Sequence, residues 1–428
     1  MSTNTQTKHP GHTPRSGPST PRARLVNGRF ALLLMSSFGA LTSFYLLLSV
    51  TPMYAMSAGA GSAVAGVVTG SLMLSTVLSE FASPRLMRRY GYRAVFAAGA
   101  LLLGGPALAL LTPPSVATIV AVSIARGIGF GLNTVVIGAL VATAVPAERR
   151  GEGIGLAGVV ACVPAIVALP TGAWLAHNAG YPVVIMVTAV SALAPLMAVP
   201  GLSGPAGRRT GAGQAEPDQA EPDQAEPAGL LASLRSAGQL RPFLVFVAMT
   251  APAGIVAAFL PLASGVSGNV AALGLFTQAV TATASRWWAG RHGDRHGHAG
   301  LLVPGLLTAA AGMTILIWVA APAALIAGTF LFGIGFGISQ NATFALMIDR
   351  APVQQYGTAS ALWNLAYDAG YGAGPAVFGV VVGHTGYPVA FALTAMLMLA
   401  ALIPAARDRA ASAPRPFAWA AGWAHSRG

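Results

Sequence analysis

The chain has 428 residues, of which 54% are hydrophobic and 8% charged, and its mean hydropathy is +0.65. Soluble domains carry about 25% charged residues, so an ordinary soluble protein is excluded and a membrane protein is described. The net charge of +12 comes without a polar domain that concentrates Lys and Arg, which excludes nucleic acid as a partner and leaves the lipid bilayer.

Residues 1–29 are polar, Pro-rich and basic. The apolar stretch behind them is far longer than the roughly 7 to 15 residues of a signal-peptide core, so the reading is a disordered cytoplasmic tail followed by an uncleaved anchor. Charge is then so sparse that six blocks stand out: 30–79, 94–147 broken only by Arg126, 153–207, 242–285, 296–348, and 351–406 broken only by Asp368. About 20 helical residues cross the roughly 30 Å of hydrocarbon. Each block therefore predicts two crossings and the chain twelve.

Uncharged turn signals lie near the middle of the blocks, at 57–62, 111–115, 177–182, 264–269, 320–323 and 383–388. Two crossings return the chain to the side it left, so every charged cluster falls on one face. Arg85, Arg88, Arg89 and Arg93, then Arg208 and Arg209, Arg291 and Arg350, make that face cytoplasmic by the positive-inside rule. Both termini are expected there, in a cell inner (plasma) membrane. The single cysteine, Cys162, sits in an apolar run and reads as a packing residue, with no disulfide and no thiolate metal cage.

The stretch AEPDQAEPDQAEP inside 201–240 is too rich in Pro and acid to bury a core and reads as a flexible linker. GLLASLRSAGQL after it has the pattern of an amphipathic helix at the membrane interface. The chain also repeats itself at an offset of 206: GIGFG stands at 127–131 and 333–337, GYPV at 180–183 and 386–389, and RYGY at 89–92 falls on RHGH at 295–298. Independent matches at one offset mean duplication. The expected organisation is a tail at 1–29, six-helix bundles at 30–200 and 241–406 joined by a cytoplasmic linker at 201–240, and a tail at 407–428.

RHGDRHGH at 291–298 contains ligand types that zinc accepts, but its repeat counterpart has neither histidine nor acid, and the other histidines fall in the tails or the outer turns. No metal site and no cofactor are expected. The loop instead resembles the signature of the major facilitator superfamily, Gly, three residues, Asp, Arg, one residue, Gly, seen as Gly290, Asp294, Arg295 and Gly297. The resemblance covers roughly 30–406 and implies an all-α membrane protein with twelve transmembrane helices in two six-helix pseudo-symmetric bundles, working by alternating access. It also implies a cytoplasmic latch, in which Asp294 rests against the N-terminus of the fifth crossing near Gly151, with Arg149 or Arg150 close by. In the first-half copy Pro84 and Arg88 replace the Gly and the Asp, and only Arg89 and Gly91 survive. Glu80 is the candidate for the missing carboxylate of an asymmetric latch.

Arg126 in the fourth crossing and Asp368 in the eleventh interrupt otherwise uncharged blocks. An unpaired charge at mid-membrane costs about 2.5 to 3.5 kcal/mol on insertion scales, so both should face protein or a wet cavity. A proton that neutralises Asp368 would couple transport to the proton gradient, and the structural alternative is a fixed pair with Arg126. Arg126 resembles the basic residue that superfamily exporters carry in this crossing, with its glycines differently spaced. RGIGFG follows no strand, so its alternate glycines read as close helix packing and not as a dinucleotide loop. GYGAGPAVFG at 370–379 resembles an antiporter Gly-Pro motif, displaced from the fifth crossing to the eleventh.

Asn133 and Thr134 project onto Ser339 and Gln340 under the repeat, with Asn341 next, which marks one polar depth in both halves. In the superfamily the first, fourth, seventh and tenth crossings line the cavity, which adds Thr42, Tyr45 and Thr250. Trp363, Asn364 and Tyr367 lie within about a turn of Asp368. The expected function is secondary active transport, a proton-coupled efflux of a small organic compound by a monomer. The alternative is proton-coupled import of a small metabolite. An intramembrane enzyme or a non-transporting receptor stand further back, since no catalytic constellation gathers at one depth.

Overall fold

The computed structural model describes residues 28–193 except 114 and 145–149, residues 196, 199 and 230, and residues 232–412 except 264. These described residues form helices and turns, with no strand among them. Hydrocarbon lacks partners for backbone N–H and C=O groups, so a chain with this hydropathy satisfies them within each helix.

The helices in chain order are α1 (Gly28–Ser57), α2 (Ser62–Gly104), α3 (Val116–Ala144), α4 (Arg150–Asn178), α5 (Tyr181–Leu193), α6 (Ala237–Phe259), α7 (Gly268–His296), α8 (Ala299–Ile315), α9 (Pro322–Asp349), α10 (Tyr356–Ala400) and α11 (Leu402–Ser412). Eight helical segments among the described residues are long and apolar enough to cross a membrane, and two of them, Ser62–Leu111 and Tyr356–Arg409, run to 50 and 54 residues. Each long segment breaks at one left-handed glycine, Gly91 or Gly386. The chain reverses at Gly91. Along α3, Gly127 then Gly131 meet Leu72 then Thr76, in parallel, whereas Gly129 then Asn133 meet Leu103 then Gly99, in the opposite sense. α5, with 13 residues, is shorter, and α7, with 29, is long but more polar than the rest.

The offset of 206 read in the sequence reappears in the backbone. Glycines with positive φ among the described residues form three pairs, Gly59 with Gly265, Gly91 with Gly297 and Gly180 with Gly386, all between 77° and 88°. Only glycine occupies that region without strain, so the turns that reverse the chain are repeated. This explains why Gly91 survives in the first-half copy of the signature while its Gly and Asp do not: the turn needs the glycine.

Helix crossings repeat as well. A Cβ on Gly127 would overlap the Leu72 carbonyl and the Ser75 hydroxyl, and one on Gly333 would overlap the equivalent Gln278 and Thr281. Gly131 lies against Ser79 as Gly337 lies against Ser285, and Gly129 against Gly99 and Leu103 as Gly335 against Gly305 and Ala309. In lipid, helices associate by backbone approach at small residues, so GIGFG is a packing motif in both halves.

The halves touch at the end that carries the uncharged turns. Ser62 Oγ donates to Gly379 O at 2.8 Å, and Asn178 Nδ2 donates to Asn269 Oδ1 at 3.1 Å. Gly66 packs against the Pro375 carbonyl, and Gly372 against Met73. At the opposite end, Arg350 grips Asp408 through two hydrogen bonds of 2.8 and 2.7 Å and donates to Gly238 O at 3.1 Å, which clamps the ends of α9, α11 and α6 together. The AEPDQ repeat lies outside the described residues. Leu230, from the expected amphipathic helix, is buried in protein against Met347, Ala359 and Leu362, because these apolar neighbours stand closer than any lipid.

Candidate functional site

A cavity of about 500 Å³ lies on the first half, in the parts of α1, α3 and α4 away from the uncharged turns, with Ser37, Leu41, Phe130, Thr134, Ile137 and Ala161 among its lining. With the turn ends in contact, this space opens toward the end of the basic connectors. Phe130 stacks on Phe44 at 3.8 Å, which makes this wall flat and apolar.

The facing half contributes aromatic rings. Trp363, Tyr367 and Tyr371 are four apart on α10 and share one helix face. Trp363 stacks on Phe246 at 4.6 Å, Tyr367 on Tyr371 at 5.5 Å, and Trp363 Nε1 donates to Thr343 Oγ1 at 3.2 Å. Tyr45 from α1 stands within electrostatic reach of Asp368, Arg286 and Cys162, so three charge-bearing or polar elements converge on one point between the halves.

Asp368 is 9% exposed and lies within electrostatic reach of Glu80, so α2 and α10 bring together two carboxyls from different halves. Glu80 Oε1 accepts a hydrogen bond from Thr134 Oγ1 at 3.3 Å. This hydrogen bond holds the Glu80 carboxyl against α3, on the same α2 face as the Ser79 and Thr76 contacts.

The fixed pair between Asp368 and Arg126 does not form. Arg126 is 1% exposed and bound inside the first half, where it donates to Ser43 O at 2.8 Å and to Leu103 O. Its guanidinium braces α1, α2 and α3 by capping carbonyls, a role that requires no acid.

One other expectation is corrected by side-chain direction. Thr250 is fully buried and donates to Ala366 O at 3.0 Å, which ties α6 to α10 instead of facing the cavity. Asn133 is among the residues that line the cavity, and its buried amide in the satisfied orientation donates to Phe96 O at 3.1 Å and accepts from Ala100 N at 3.2 Å, so it also links α3 to α2. Thr42 is half-buried with its hydroxyl unbonded among the described residues, Asn341 packs against Gly290, and Asn364 is exposed.

Asp294 stands at the end of α7 with its side chain 76% exposed, 3.7 Å from His298. Arg149 lies outside the described residues, as does the side chain of Arg150. Arg89 rests over the Tyr90 ring at 5.2 Å. Within RHGDRHGH, His292 and His296 stack on one helix face at 4.4 Å, and His298 covers Gly293. Gly297 then turns the chain into α8.

Arg286 is the residue that block counting misses. It lies just past the uncharged block 242–285, and α7 continues through it: its Nη1 donates to Gln340 Oε1 at 3.3 Å, and its guanidinium lies 6.0 Å from the Trp363 ring centre. The repeat offset was the signal. Arg286 is the counterpart of Glu80, and Gln340 of Thr134, so the two hydrogen bonds occupy equivalent places in the two halves.

A family model described as Major Facilitator Superfamily matches residues 33–276 and 242–425. The chain belongs to this superfamily. Superfamily structures resemble it over most of their length: the D323A mutant of the nucleoside transporter NupG (TM-score 0.71, 12% identity, 90% of this chain and 100% of that one) and a D-xylose-proton symporter (0.68, 17%, 88% and 97%). A bacterial homologue of the human lysosomal transporter Spinster, in an inward-facing and unoccupied conformation, resembles it to the same degree (0.68, 13%, 89% and 95%). At these identities the likeness is one of fold. A comparison with curated protein sequences finds no significant match. As a superfamily member the chain is a multi-pass membrane protein and a secondary transporter, not an enzyme.

Proposed function

We propose that this transporter exports small organic compounds in exchange for protons, as a monomer in the plasma (inner) membrane with both termini cytoplasmic and twelve crossings. In this reading bundles 30–200 and 241–406 rock about the central cavity, and the connection 201–240 links them; the expected tail 407–428 is corrected at its start, since α11 runs to Ser412 and Arg350 holds Asp408. The state described here is then open to the cytoplasm. In the opposite state Asp294 would close against the start of α4 beside Arg149 or Arg150, where the helix dipole favours an anion.

The observation that carries the coupling is the Asp368 carboxyl, buried where α10 meets α2 and opposed by Glu80 from the other half. Two carboxylates within electrostatic reach in a buried interface repel, and a proton taken up by one of them removes the repulsion. When the halves part and water enters, the charged forms are solvated and the proton leaves. A proton bound on one side and released on the other is the step that secondary transport requires.

The test is a substrate screen on proteoliposomes carrying a pH-sensitive dye, with Asp368→Asn alongside the wild type. Loss of proton-linked flux in the variant is expected; undiminished flux would remove the coupling role. Counterflow against an imposed pH gradient separates export from the alternative of proton-coupled import.

A further inference from the structure

The charged groups where the halves face one another carry both signs, Arg286 against Glu80 and Asp368, and this says what fits between them. Arg286 has its guanidinium engaged at one corner only, by Gln340, and its remaining N–H groups have no hydrogen-bond acceptor among the described residues. The side chain is half-buried, within electrostatic reach of Tyr45 from the other half. A guanidinium has five donors in a planar fork that matches a carboxylate bidentately. The open edge therefore asks for an anionic group from outside the chain.

Glu80 occupies the equivalent position in the other half, and a single hydrogen bond from Thr134 engages one of its oxygens among the described residues. Asp368 lies within electrostatic reach of it. These oxygens accept only, so they ask for a cationic or proton-donating group. Each half also presents a flat surface: Trp363 backed by Phe246, and Phe130 backed by Phe44.

We infer that the cavity takes an amphoteric aromatic compound, whose anionic group is clamped by Arg286, whose ammonium faces Glu80 and Asp368, and whose ring lies between Trp363 and Phe130. The inference rests on the exchange reading above and deepens it. An ammonium and a proton seek the same carboxyl, so binding one expels the other, which makes the exchange obligatory.

The test uses the full-length transporter in lipid nanodiscs and tryptophan fluorescence titrated with three matched probes: L-phenylalanine, which carries both charges, phenethylamine, which lacks the carboxylate, and 3-phenylpropionate, which lacks the ammonium. Hydrogen bonds to charged groups contribute about 1.5 to 3 kcal/mol, so phenylalanine should bind roughly tenfold or more tightly than either analogue. Arg286→Gln should lower phenylalanine to the level of phenethylamine and leave phenethylamine unchanged, which also reports that the variant is folded. Arg286→Lys, with the charge but not the fork, should fall between. Glu80→Gln should erode the advantage of phenylalanine over 3-phenylpropionate. Phenethylamine binding as tightly as phenylalanine, an undiminished preference in Arg286→Gln, or no binding of any probe would overturn the inference. Selectivity that persists while Asp368→Asn transports protons undiminished would sink the coupling and spare the site; the reverse would spare the coupling alone.

Discussion

The two halves of this transporter pack alike and face the cavity differently. Gly127, Gly129 and Gly131 meet the same partners in the first half as Gly333, Gly335 and Gly337 meet in the second, offset by 206 residues. At the equivalent positions 80 and 286, one half presents an acid and the other a base. Helix crossings with backbone in contact tolerate no added atom, so duplication is preserved there, whereas a side chain held to its neighbour by a single hydrogen bond is free to change sign. The difference teaches where to look for function in a duplicated bundle: at positions where equivalent contacts are kept and equivalent charges are not.

The largest break in the comparison is the ion pair at the connector end of the second half. Arg350 and Asp408 correspond to Ala144 and Leu202, so the first half has no such clamp. Asp408 is 1% exposed, and removing one partner of a buried pair costs about 3 to 5 kcal/mol. Asp408→Asn should therefore lower the melting temperature in detergent sharply; an unchanged melt would mean that the pair is solvated in the membrane protein.

Gly127→Ala and Gly333→Ala sharpen the equivalence itself. Each new Cβ overlaps backbone of the neighbouring helix, and overpacking costs about 1 to 3 kcal/mol. The two variants should destabilise to a similar degree in the same melting assay, and tolerance of one alone would show that the halves are not packed alike. Trp363→Phe keeps the ring and loses the donor to Thr343. About 1 kcal/mol of stability should go with it, read as a small shift of the melt with the phenylalanine affinity largely kept. The smallest effect is expected at the turn ends. Asn178→Ala removes a hydrogen bond to Asn269 that joins the halves in this state, so by about 1 kcal/mol or less it should favour the opposite state, measured as reduced labelling of a cysteine placed at Ser37. Labelling that rises instead would put that contact outside the conformational switch.

Much of the architecture was legible because lipid is an exacting solvent. The uncharged blocks, the glycine turns and the repeat at 206 are all visible in one dimension. The site was legible only in part. Tyr45, Trp363, Tyr367 and Asp368 do converge and Asn133 lies in the cavity's lining, but Thr250, at a similar depth, turns away to bind a neighbouring helix. Depth along a helix follows from residue number, whereas facing depends on how the helix is rotated against its neighbours. Arg286 was hidden for a related reason. It falls outside the uncharged blocks, and only α7, continuing to His296, brings it against Gln340.

By itself the sequence determined that this is a duplicated helical membrane protein with its charges gathered at one end, because the cost of polar groups in hydrocarbon leaves no other arrangement for such a composition. The tertiary structure alone decided that Glu80 opposes Asp368, that Arg126 serves as a brace, and that Arg286 and Glu80 stand as opposite charges at equivalent points of one cavity. Those facts depend on which faces of distant helices meet, and that is settled by packing across the whole bundle.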